Sequence, residues 1–499
     1  MIYLKSLFLL FFIMLSCLIS SSFGDDFAKL NGLPVDNDTI YPMDRRYFEM
    51  SYVEFNYSAN AFDRLLYDEF GGSIGANGVC FGMSVLAGAI YTRYGFMGMC
   101  RPVGTLPHDT FSVIWPHMRD AIYSLQIRQL SYRIFKIVVD LLSEGTISDG
   151  NYAYDQIETY IAQGKIPVIC ITKTTALSFS TPGHAMLAYK VKDLGSERRI
   201  YVYDPTRPYF KFNAFYDLDS NYIHIDALTG HWTWRWPDNS IWDGLIYAIP
   251  GDLVLIPIVN PLYLENLTDL SGVILASGAH ITQIEDSEGR KLFKHPVSGV
   301  PSLSDLEDDP DKKIGNIAPW IPLGGSAPPK TEMYIVYGIK KSYKVRIAPE
   351  GNYRLMAAMG GKMVELKSKG VSTGADIVEL RYLGTNMQHV KVKPSRPNAI
   401  FDVKMVQSSA DMKKFRIFEV DGINLSRGNM ASIGLSNGGK AIKVVADKMI
   451  TCDLKLESIV DGKSTRVSRK SVVFQPGEKM VIKPSSWMNL KGGKIKIMK

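Results

Sequence analysis

The rhythm of apolar and polar positions changes along this chain. Between residues 25 and about 255, AFDRLLYDEF (61–70), CFGMSVLAGAIYTRYG (80–95) and SYRIFKIVVDLLSEG (131–145) place apolar residues three and four apart, which predicts helices. IPVICIT (166–172), HAMLAYKV (184–191) and RRIYVYDP (198–205) are short runs rich in β-branched and aromatic residues, which predicts strands. Helices come first and strands follow, an order that favours an α+β arrangement over a doubly wound parallel sheet.

From about residue 262 the texture becomes β throughout. SGVILASGAHITQIEDSEGRKLF (271–293) reads as strands with a turn at DSEG, and SLSDLEDDPDKK (302–313) with GGSAPPK (324–330) reads as loop or linker. Short β-type runs then recur from MYIVYGI (333–339), SYKVRIA (342–348) and NYRLMAA (352–358) to KMVIKP (479–484), punctuated by Gly, Asn and Pro. Such spacing predicts an all-β, sandwich-like domain. The expected organisation is therefore a mixed α+β domain over 25–260, a β-containing connector with acidic and Pro/Gly loops over 261–330, and a basic β-sandwich-like domain over 331–499.

The first 24 residues read as a secretory signal peptide. Lys5 precedes an apolar run from Leu7 to Leu15, and small residues lead to Gly24. Acylation at Cys17 is the alternative for this segment. No later stretch reaches the ~18 uninterrupted apolar residues that a spanning helix needs, so the expectation is a secreted or cell-surface protein.

Of 499 residues, 46% are hydrophobic and 21% charged, which excludes disordered and collagen-like classes. The net charge of +7 hides a split. Residues 331–499 carry 31 Lys and Arg against 14 Asp and Glu, a net of +17, and residues 1–330 carry −10. The basic part suits an anionic cell-surface polymer or membrane surface, or equally a solubility role or docking on the acidic half.

After the leader only Cys80, Cys100, Cys170 and Cys452 remain, without the spacing of a disulfide scaffold or a zinc site. A bridge such as Cys100 to Cys170 is compatible with export, and at least one thiol is left over. No HExxH, Walker or Rossmann pattern occurs, and EDDPD lacks the alternating ligands and central glycine of an EF-hand loop. No cofactor, metal or nucleic-acid partner is expected.

Cys80 stands at the start of a predicted helix, between Gly78 and Gly82, where the positive end of the helix dipole favours a thiolate. Gly78 and Gly82 leave room for a substrate backbone. The plain alternative is a small buried residue in a core. A nucleophilic cysteine needs a histidine, itself oriented by a third group. His184 has the matching setting: the runs 184–192 and 198–204 are joined by DLGSE and predict an antiparallel hairpin. A turn centred on Leu194 sets His184 directly opposite Asp204, at the ~4.5–5.5 Å Cβ separation that lets a carboxylate take the imidazole N–H. Trp232, Trp234 and Trp236 alternate, so on one strand they share a face, either as a stacking platform or as a tryptophan-rich core edge.

Taken together, a helix-start cysteine, GKIPVICI, GHAMLAYKV and IYVYDP resemble the papain-like cysteine peptidases, most of all the bacteriocin-processing, double-glycine branch. The resemblance spans about residues 70–210. It implies Cys80 as nucleophile, His184 as base and Asp204 as orienting carboxylate in a secreted peptidase or amidase acting on a peptide or protein. That family's glutamine, six residues before the cysteine and one donor of the oxyanion hole, is Ile74 here. Asn77 or Ser73 is the candidate replacement. Two other functions stay open: a non-catalytic surface or adhesion protein on the same scaffold, and a transglutaminase-like acyltransferase.

Overall fold

The computed structural model describes residues 78–93, 95–96, 99–100, 108–130, 132–174, 182–206, 221–236, 238–255, 272–289, 291–293, 317–320, 331–336, 342–359, 362–370, 374–383, 386–408, 414–436, 438–460, 463–487, 490 and 493–498. The expected leader, the 61–70 helix, Ser73, Ile74 and Asn77 lie outside them. The fold is mostly β, with a few helices and two large antiparallel sheets.

Helix α1 (Cys80–Arg93) is apolar on every side and is buried from Cys80 to Ile90, as a helix with no polar face must be. Two glycines let it pack closely. A Cβ on Gly82 would meet the Ile122 carbonyl oxygen at 2.1 Å in α2 (His108–Ile127). One on Gly88 would meet Ile166 Cγ2 at 2.2 Å and Leu187 Cδ1 at 3.0 Å. The room beside Gly82 is therefore taken by α2 rather than left for a substrate. Helices α3 (Tyr132–Glu144) and α4 (Gly150–Ala162) follow. α4 starts where Asp149 Oδ1 accepts the Asn151 and Tyr152 amides, an ordinary N-cap.

Seven strands come next: β1 (Pro167–Thr172), β2 (Gly183–Asp193), β3 (Glu197–Tyr203), β4 (Tyr222–Asp226), β5 (Trp232–Arg235), β6 (Ile241–Trp242) and β7 (Ile246–Pro250). They form one antiparallel sheet in the order β6-β5-β4-β3-β2-β1-β7. Along β2 every residue from Gly183 to Tyr189 is buried, because both faces are covered. Ala185 and Leu187 pack with α1 and α2, and Met186 and Ala188 pack with Ile157 of α4 and three tryptophans. β2 thus carries residues of both cores past the N-terminus of α1.

After a one-turn helix at Asp252–Leu255, the described elements are all strands. They are β8 (Gly272–Asp286), β9 (Lys291–Phe293), β10 (Ile317–Trp320), β11 (Thr331–Val336), β12 (Ser342–Met359), β13 (Lys362–Lys369), β14 (Asp376–Leu383), β15 (Asn386–Lys393), β16 (Ala399–Ser408), β17 (Lys414–Leu425), β18 (Ala431–Ser436), β19 (Ala441–Ala446), β20 (Ile450–Val460), β21 (Lys463–Phe474), β22 (Met480–Pro484) and β23 (Ile495–Met498). All sixteen belong to one sheet, whose main path runs β21-β20-β17-β16-β13-β12-β14-β15-β18-β19-β22-β23. In β20 each alternate residue from Ile450 to Ser458 is buried, the signature of a sheet with one covered face. The path folds back on itself. Trp487, beyond β22, packs edge-on to Phe418 of β17 at 5.2 Å and donates Nε1 to the Lys440 carbonyl at 2.9 Å. The result is sandwich- or barrel-like.

Two sequence expectations change here. SYKVRIA and NYRLMAA are one strand, β12, since β8 runs alongside both halves and absorbs the irregularity in register shifts after Ser277 and Ile281. The segment expected as a connector contributes β8–β10 to the same sheet as residues 331–498, so no boundary falls at 331.

Candidate active site

Helix α1 opens with the Met83 amide donating to the Val79 carbonyl at 3.0 Å. Val79 has no side-chain acceptor for the other first-turn amides, and a different helix supplies one. Gln126 of α2 accepts the Gly82 amide on Oε1 at 2.8 Å and donates Nε2 to the Gly78 carbonyl at 3.4 Å. Cys80 lies midway between these contacts, at the positive end of the helix dipole. Its Sγ accepts the Ala185 amide of β2 at 3.4 Å, and Ser84 Oγ donates to the Ala185 carbonyl at 3.1 Å one turn later. The first turn of α1 is thereby fixed against β2 beside His184.

The hairpin expected at DLGSE is present, with Leu194 N–H donating to the Glu197 carbonyl at 2.8 Å and Gly195 at a φ of +89°. Its register differs from the expectation. Leu187 pairs with Tyr203 and Ala188 with Val202, and a bulge separates them from Lys190 and Tyr201. Continued one step, this sets Asp204 opposite Met186, two residues from His184. A shift of two preserves the face, whereas a shift of one would have reversed it. The ring still reaches the carboxylate, with His184 Nε2 to Asp204 Oδ1 at 2.9 Å.

That oxygen also accepts the Thr206 amide at 2.9 Å and the Thr206 hydroxyl at 2.7 Å. The Asp-Pro-Thr turn therefore holds the carboxylate in place before the imidazole arrives. With Nε2 donating to Asp204, Nδ1 has no hydrogen-bond partner among the described residues. Burial pushes the imidazole pKa down, but the charge of the Cys80 sulfur and the hydrogen bond and charge of Asp204 outweigh it. The net effect is a rise to about 9. The geometry thus brings Cys80, His184 and Asp204 together; Asn77 lies outside the described residues.

Three indoles surround the imidazole. Trp234 lies nearly parallel to it at 5.8 Å, and Trp236 and Trp242 present edges at 4.9 and 6.4 Å. Trp232 and Trp234 share the inner face of β5 as alternation expects, but the strand ends at Arg235 and Trp236 follows it, stacked on Trp242 at 4.6 Å. This is a core edge. Cys80, His184 and Asp204 are each 0% exposed, while Trp236 is partly exposed.

Two other free thiols behave differently. Cys170 lies across from Ala185 on one side and Tyr247 on the other. Burial drives both the Cys170 thiol and the Tyr247 phenol well above their ordinary values, so both stay neutral. Cys170 is unbridged. Cys452, in the large sheet, is pushed up to about 12, mainly by burial. Among these three cysteines Cys80 alone has an imidazole beside it. No cluster of His, Cys, Asp and Glu able to hold a metal occurs among the described residues.

Sequence reasoning missed Gln126, Thr206 and Trp242. Thr206 had a local signal, a hydroxyl residue two positions after an aspartate in a turn. Gln126 had none, since only the α1–α2 crossing brings it to Cys80. No family model, curated protein or solved structure matches this chain.

Proposed function

We propose that the chain is an exported cysteine-nucleophile hydrolase of the papain-like kind, acting on peptide or other amide bonds, with Cys80 as nucleophile, His184 as base and Asp204 as orienting carboxylate. One observation carries this reading: His184 Nε2 is 2.9 Å from Asp204 Oδ1 while Cys80 Sγ accepts the amide of the very next residue, Ala185, at 3.4 Å. An imidazole tied to a carboxylate, with a helix-start thiol held against the backbone of the next residue, is the set of groups that nucleophilic cysteine chemistry requires.

In this mechanism His184 takes the Cys80 proton and the thiolate adds to the substrate carbonyl carbon. Collapse of the tetrahedral adduct breaks the C–N bond, and the imidazolium gives its proton to the leaving amine. Water, losing a proton to His184, then cleaves the thioester and restores the thiol. The Cys80 amide at the helix start is one oxyanion donor, and Asn77 is the proposed second. The basic sheet holds the enzyme at an anionic surface.

Complete burial of the three side chains supports a second reading, a non-catalytic surface protein that keeps the scaffold. On the first reading the cover over the site must part before substrate enters. Alkylation of the full chain, with the modified cysteine located by mass spectrometry, separates the two. The enzyme reading expects Cys80 to label at pH 6–7 and His184→Ala to slow that labelling at least about tenfold. Equal, slow labelling in both proteins favours the scaffold.

A further inference from the structure

The side chain of Gln126 is completely buried, on the helix that crosses α1 at Gly82. Burying an amide sacrifices its hydrogen bonds to water unless the protein replaces them, and a leucine or methionine would fill the same crossing without that cost. Here the replacement bonds fall in one place. Oε1 accepts from Gly82 and Nε2 donates to Gly78, the residues two after and two before Cys80. Gln126 is itself anchored, because its carbonyl accepts Gln129 Nε2 at 3.0 Å, also from a buried side chain. Gly78 adopts a φ of +127°, a conformation rarely open to other residues, so its carbonyl direction is part of the arrangement. Cys80 is consequently gripped from two sides, by α2 through Gln126 and by β2 through the Ala185 amide.

We infer that Gln126 is a positioning residue for the Cys80 thiol, fixing the first turn of α1 so that the sulfur stays in register with His184; this rests on the catalytic reading of Cys80. The amide acts through the backbone on either side of Cys80. Its effect is to stop the first turn from fraying, which would carry Cys80 away from the Ala185 amide and the imidazole together.

The test compares the full chain with Gln126→Met, which keeps side-chain length and loses both bonds, and Gln126→Glu, which keeps an acceptor for Gly82 and loses the donor to Gly78. Three quantities are read: melting temperature, hydrogen exchange at the Gly82 amide, and the rate of Cys80 alkylation from pH 5.5 to 9. Gln126→Met is expected to exchange faster at Gly82 and to lose about tenfold in alkylation rate near pH 6.5, the size of one lost hydrogen bond. Its melting temperature is expected to fall by a few degrees, because the buried Gly82 amide and Gly78 carbonyl lose their partner. Gln126→Glu is expected to keep Gly82 protected and to fall between the two in alkylation. A Gln126→Met protein with wild-type alkylation at every pH overturns the inference, whether or not Gly82 exchange rises. If that variant does not fold, Gln126→Glu carries the decision, and wild-type alkylation in it overturns the inference likewise. Failure of the catalytic reading looks different: there the wild-type thiol itself labels slowly and His184→Ala leaves the rate unchanged.

Discussion

His184 reaches Asp204 diagonally. Asp204 continues β3 to a point opposite Met186, and the imidazole crosses two residues of β2 to bring Nε2 within 2.9 Å of Oδ1. Because Thr206 donates twice to that same oxygen, the carboxylate is held even without the histidine. The pair is a buried charge-assisted hydrogen bond, and removing one member strands the other.

Asp204→Ala is therefore expected to destabilise the protein by about 3–5 kcal/mol, the range for breaking a buried ion pair. Asp204→Asn keeps an oxygen for both His184 and Thr206 and is expected to cost clearly less. Both variants are expected to slow Cys80 alkylation, since an imidazole without its carboxylate is neither oriented nor stabilised as the cation. Chemical denaturation and alkylation rates check the two effects separately. Equal stability of Asp204→Ala and the parent protein would mean that the hydrogen bond is not made in solution.

A pH dependence follows from the same pair. The folded-state pKa of His184 lies at about 9, above its unfolded value of 6.5, because the Cys80 sulfur and Asp204 outweigh burial. A group shifted upward stabilises the fold fully below the unfolded value and loses that contribution as pH rises through the folded one. Relative to His184→Gln, the wild type is expected to hold an advantage of roughly 3 kcal/mol near pH 6. That advantage declines between pH 6.5 and 9 and is gone above it. Paired denaturation curves across this range measure it, and a gap that is flat with pH would refute the charged imidazole.

Much of this site could be read in the sequence because its signals are local. The β2–β3 hairpin follows from two β-branched runs around DLGSE, and the face shared by His184, Met186 and Ala188 follows from alternation alone. The register did not follow, because the bulge at Tyr189 depends on how β2 and β3 pack between two cores. That error was harmless only because the shift was even. The burial of Cys80 is among the readings the sequence offers, but its cause is not. It comes from α2 pressing on Gly82 and from tryptophans around His184, contacts between residues far apart along the chain. In the large sheet, alternation exposed most strands but not their order, which long-range pairing decides. Hence β8 joins β11 and β12 across the loop-like acidic segment.

The cationic surface of the large sheet gives the last prediction. Among the described residues β21 ends the main path of that sheet and pairs only with β20, and its residues from Lys463 to Arg466 and Ser468 to Ser471 are exposed on both faces. Lys463, Arg466, Arg469 and Lys470 project from it, and Glu457 of β20 engages Arg466 at 2.9 Å. Charge along a free edge blocks strand addition, and it also attracts polyanions. Residues 331–499 alone cannot decide between these roles, since β8 fills the sheet beside β12 and its removal would expose a core edge. The full chain is expected to bind polyphosphate at about 20 mM salt and to release it as salt approaches 0.5 M, where the Debye length falls to a few ångströms. Arg469→Glu with Lys470→Glu is expected to weaken binding at low salt several-fold while leaving the melting temperature near the parent value, because exposed charges contribute little to stability. If the double variant binds as well as the parent, the edge cations serve solubility and the anionic surface is recognised elsewhere. If neither binds at low salt, the attachment role is lost altogether.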